Sequence, residues 1–122
     1  MGEPTVETFP AFLELNDRFH SEVMRLAKNE VLRQALDRLF SFPLITPRVL
    51  VSVGPKWAEA SQLFIISQEQ HNGIIEAISK RQGARAESIA REHALLTRRN
   101  LEIALADADF LNSLPGGSLI RL

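Results

Sequence analysis

The chain has 122 residues, 45% of them apolar and 24% charged, a composition that suits one compact globular domain. A formal net charge of −1 supplies no global field for DNA or an anionic membrane. The absence of cysteine excludes disulfides and thiolate-ligated metal or Fe–S sites, and fits a cytoplasmic protein.

Residues 1–9 read as an entry segment, with no basic stretch followed by an apolar one as a signal peptide requires. No apolar run approaches the roughly 20 residues that span a bilayer. A first helix is expected from about Pro10 to Lys28, with Thr8 as a candidate cap and an apolar stripe at Leu13, Phe19, Val23 and Ala27. Asn29 looks like a stop followed by a new N-cap. The second helix, EVLRQALDRLF, would turn Val31, Leu32, Ala35, Leu36 and Leu39 inward and end before Pro43. The stretch PLITPRVLVSVGPK, residues 43–56, has the prolines and Gly54-Pro55 of a loop. Its RVLVSV run has strand composition, but no second strand candidate exists to pair with it, so an extended linker is expected. A third helical region covers about Lys56 to Lys80, whole or broken near Ser67, with His71, Ile74, Ile75 and Ile78 on one face. Gly83 falls in the following turn. The fourth helix, about Ala84 to Ala106, spaces Ile89, His93, Leu96, Asn100 and Ile103 in a 4-3-4-3 pattern. The expected core bundle spans 9–107, and residues 108–122 form a tail over the surface.

The chain has only three histidines, His20, His71 and His93, each on the expected core face of a different helix. Asn16 lies one turn before His20, and Asn100 two turns beyond His93 on the same side. A buried imidazole costs about 1–3 kcal/mol for each unpaired nitrogen. Each ring can be satisfied by its own hydrogen-bond partner, the ordinary fate of a core histidine. Alternatively, one divalent ion can satisfy three rings at once, and imidazole nitrogen suits Zn²⁺, Ni²⁺, Cu²⁺ or Fe²⁺. The residues alone leave both readings open. Glu69 and Glu92, although near histidines in sequence, point about 200° and 100° away around their helices and read as solvent-facing or outer-layer groups. Arg81, Arg85, Arg91, Arg98 and Arg99 read as a solvated face, and Trp57 as a packing anchor. No phosphate loop, nucleophile elbow or HExxH motif is present.

The motif LNDRFHSEVMRLAKNEVL, with Asn16, His20 and Asn29, resembles the FCD domain, the C-terminal effector-binding domain of FadR-type GntR transcription regulators. The later segment EQHNGIIEAISKRQGARAESIAREHALLTRRNL, with His71, IIEAI, Gly83 and His93, continues the resemblance over about residues 9–107. The resemblance implies an all-α antiparallel bundle, incomplete at its N-terminal end, and a sensor rather than an enzyme. Many family members bind a divalent metal, often zinc or nickel, through an Asp and three His, with a small organic acid beside it. Carried over, the ligands would be Asn16, His20, His71 and His93, with Asn16 and Asn100 facing the effector. Asn16 departs from the pattern, since a neutral amide oxygen is a weaker ligand than carboxylate. The family's DNA-reading winged helix and the first helices of its effector domain have no counterpart in the sequence. The expected protein is thus a regulator's sensing domain, forming a homodimer and contacting DNA only through a winged helix absent from this chain, with no membrane role. Two rivals remain: a metal-dependent enzyme of small carboxylates, and a helical interaction module whose buried histidines hold no metal.

Overall fold

A computed structural model describes residues 5, 7–41 and 57–113, apart from some side chains at the start of the third helix and beyond residue 99. Among the described residues the chain is all-α. The helices are α1 (Phe9–Leu26), α2 (Glu30–Phe40), α3 (Trp57–Ser79), α4 (Gly83–Leu105) and α5 (Ala108–Ser113). No helix among them is long and apolar enough to cross a membrane. The expected linker at 43–56 and most of the C-terminal tail lie outside the described residues. The part of the tail that is described forms α5, which packs on α4.

Pro10 occupies the first turn of α1, where its missing N–H costs nothing. Thr8 holds the N-cap position, but its side chain does not cap. Its hydroxyl instead accepts from the Thr5 N–H at 2.9 Å and donates to the Thr5 carbonyl at 3.3 Å. At the other end of α1, Lys28 turns into the left-handed region with φ 50°. Asn29 then caps α2 as expected, its Oδ1 accepting from the Leu32 N–H at 3.0 Å.

The expected inward face of α2 is a correction. No α2 residue is buried: Val31 is 80% exposed, Leu32 and Leu39 are 48% exposed, and Leu36 and Phe40 are only half-buried. Periodicity reports which face of a helix is apolar, not whether anything covers it. Arg33 pairs with both Glu30 and Asp37 along the polar side, so α2 carries local support of its own.

α3 is one unbroken helix through Ser67. It turns back into α4 through a Schellman-type close, in which the Gln82 N–H bonds the Ala77 carbonyl at 2.8 Å and the Arg81 N–H bonds that of Ile78 at 3.0 Å. The left-handed position of this turn is Arg81, with φ 56°, while Gly83 is already the first residue of α4. Gly73 has a different use. A Cβ there would lie 3.2 Å from Ile89 Cδ1, so α3 and α4 approach closely at this level.

α1 packs along this hairpin. Phe12 and Phe64 are buried edge to face with centroids 5.1 Å apart, and Phe9 sits 5.1 Å from Phe64. One turn pair further along both helices, Phe19 meets His71. The two contacts advance together, so α1 runs in the direction of α3 and against α4. On α3, Leu63, Phe64, His71, Ile74 and Ala77 are buried, whereas Ile75 (54%) and Ile78 (40%) are exposed, which corrects their expected inward placement. α3 is apolar on more than one side, and packing selected the 71-74-77 row.

Asn29→Ala should lower stability by about 1 kcal/mol through loss of the cap. Arg81→Gly should raise it by up to ~1 kcal/mol by relieving a left-handed non-glycine residue. Urea denaturation followed by circular dichroism checks both signs.

Candidate metal centre

α1, α3 and α4 each contribute one histidine to a single interior point. The helical period and the tight α3–α4 turn put His71 and His93 opposite each other, and α1 brings His20 over both. One donor nitrogen from each of His20, His71 and His93 lies within 4.8 Å of the others. His71 is only 3% exposed. His71 Nε2 and His93 Nε2 are 3.1 Å apart. His20 stands edge-on to His71 with centroids 5.2 Å apart and lies 5.4 Å from His93.

Two further residues shape the cluster. Phe19 stacks on His71 with centroids 3.9 Å apart and planes 21° from parallel, covering one face of that ring. Gln70 Oε1 lies 3.0 Å from His93 Nδ1. Neither was singled out by sequence reasoning as part of the site. In the sequence Phe19 reads only as part of the apolar stripe. Gln70 is the immediate neighbour of His71, but its reach to α4 depends on how the helices cross. Glu69 and Glu92 are exposed, in keeping with the solvent-facing reading.

Asn16 is buried, at 8% exposed, one turn before His20 on α1. Asn100 lies on α4 two turns past His93, and its side chain falls outside the described residues.

The electrostatics favour neutral rings. Burial, then His93, lowers the His20 pKa to about 4, with Asp17 opposing the shift. Burial, then His93 and His20, lowers that of His71 to about 3. Burial also lowers His93. At neutral pH every ring therefore keeps a lone pair, the state in which imidazole ligates metal. Two nitrogens on a tetrahedral ion at bonds of about 2.0–2.1 Å stand about 3.3 Å apart, close to the His71–His93 separation. The donor chemistry and spacing thus fit a divalent ion such as Zn²⁺ or Ni²⁺.

The fold and site together define a helical domain with a histidine cage in its interior. The model of the FCD domain matches residues 3–96, a stretch that includes all three histidines, Asn16 and Gln70. The chain belongs to the FCD family, the effector-binding domains of GntR-type transcription regulators, which bind small-molecule effectors. No curated protein and no solved structure matches the chain.

The histidine pKa values set a pH dependence. Below the unfolded value of 6.5, the unfolded chain takes up protons that the folded rings refuse. Stability is therefore complete above about pH 6.5 and falls as pH drops towards about 4 for His20 and about 3 for His71. Each ring contributes a slope of at most ~1.4 kcal/mol per pH unit. Urea denaturation of chelator-treated protein between pH 7.5 and 5 should show this decline.

Proposed function

We propose that this chain is the sensing domain of a transcription regulator, in which Asn16, His20, His71 and His93 hold a divalent metal and a small organic acid binds beside it. The observation that carries the reading is the meeting of three imidazoles from three helices, with two Nε2 atoms at 3.1 Å. Zn²⁺ or Ni²⁺ suits the nitrogen-rich donor set, with the Asn16 amide oxygen as the weakest member. Such an ion supplies a Lewis-acidic point for a carboxylate. In this reading Asn16 and Asn100 would contact the effector.

The fold suggests how binding would be transmitted. α3 and α4 form one tightly joined hairpin, whereas α1 meets it through the Phe9–Phe12–Phe64 contact and the histidine cluster. His20 and Asn16 belong to α1, and the other two ligands belong to the hairpin. A ligand drawn to both sides would favour one placement of α1 over another, provided its affinity for the two differs. In this reading the domain acts as a cytoplasmic homodimer, with the shift passed to a DNA-binding domain. It comprises residues 1–122 as one unit.

A second reading has an observation of its own. The contacts of His93 with His71 and Gln70 satisfy ring nitrogens by hydrogen bonding alone, as in a helical interaction module. Elemental analysis after incubation with Zn²⁺ or Ni²⁺ and desalting separates the two. The sensor reading predicts one ion per chain, lost in His20→Ala, His71→Ala and His93→Ala, and held more tightly in Asn16→Asp. It also predicts that a panel of small carboxylic acids raises the melting temperature of the loaded protein and not of the stripped one. Protein that stays metal-free and indifferent to chelator would support the interaction module instead.

A further inference from the structure

His93 is gripped at both ring nitrogens by consecutive residues of α3. Gln70 Oε1 faces Nδ1 at 3.0 Å, and His71 Nε2 faces Nε2 at 3.1 Å. A neutral imidazole carries one proton, so its two nitrogens must play opposite parts. An amide oxygen only accepts. It therefore demands the proton on Nδ1 and leaves the Nε2 lone pair aimed at the point where the three rings meet. His71, facing that lone pair, must donate from its own Nε2 in the metal-free protein.

We propose that Gln70 is a positioning residue of the centre, which locks His93 in its Nδ1–H tautomer and so presents Nε2 as the donor atom. A ligand histidine whose far N–H is held by an acceptor is fixed in tautomer and in ring orientation, and loss of such an outer partner weakens metal binding 10–100-fold. A neutral amide orients the ring without adding negative charge. This differs from a carboxylate in that place, which would also raise the basicity of the ring. The location is specific: Glu69, next to Gln70, is exposed, and among the described contacts Gln70 alone accepts from this nitrogen. The affinity consequence rests on the metal reading above, whereas the tautomer itself does not.

Long-range ¹H–¹⁵N correlation spectra of metal-free protein at pH 8 read the tautomer directly. The expected result is a protonated Nδ1 and a bare Nε2 on His93, with the opposite arrangement on His71. In Gln70→Leu, of similar size, both rings should redistribute between tautomers, an effect that a merely space-filling role would not produce. Gln70→Glu should keep the wild-type tautomer. Competition titration with Zn²⁺ should show a 10–100-fold loss of affinity for Gln70→Leu and none for Gln70→Glu. A wild-type His93 protonated on Nε2 would overturn the proposal, because Gln70 would then present its NH₂ group. So would a Gln70→Leu protein with unchanged tautomers or unchanged Zn²⁺ affinity. If wild-type protein binds no Zn²⁺ at all, the metal reading fails, and the tautomer spectra still decide the role of Gln70.

Discussion

Three imidazoles packed into one interior point cannot all be charged, and the fold holds them there as neutral rings. His20 on α1, His71 on α3 and His93 on α4 shield one another from water and repel one another's protons. Burial is the larger cause in each case. The consequence is a cluster of neutral rings facing one another, with Phe19 stacked on one face of His71. Hydrogen bonding between His71 and His93 relieves part of the cost, and a shared cation would relieve more.

The same cluster explains how α1 belongs to the domain. α3 and α4 are joined by a tight turn and pressed together at Gly73 and Ile89. Among the described residues, α1 meets this hairpin at two patches, one of phenylalanine rings and one of histidines. The first is nonspecific apolar burial, stabilising by about 25 cal/mol for each Å² removed from water. The second depends on the protonation of the rings. In the proposed sensor, a helix held partly by such a contact would be the part that moves.

Much of the site was legible in the sequence, because the helical period alone placed His20, His71 and His93 on core faces and Asn16 one turn from His20. Asn29 was legible as a cap for the same local reason. What was not legible depended on tertiary contact. Val31, Leu32 and Leu39 follow an inward pattern, yet nothing among the described residues covers them. Ile75 and Ile78 share α3 with a second apolar row, and only the placement of α4 decides which row is buried. Gln70 gives no sign of its role until α4 is seen to pass beside it. Arg81 occupies the left-handed turn position that glycine usually takes, and Gly83, two residues on, already opens α4. Family resemblance supplied what spacing could not, namely an acid effector beside the metal that the residues alone left as one of two readings.

The most direct measurement of the central claim is X-ray absorption at the zinc edge, on protein loaded with one equivalent of Zn²⁺. The account predicts a single site with an imidazole signature of three rings and Zn–N distances of about 2.0–2.1 Å. A spectrum dominated by water or carboxylate oxygen, with one imidazole or none, would contradict it.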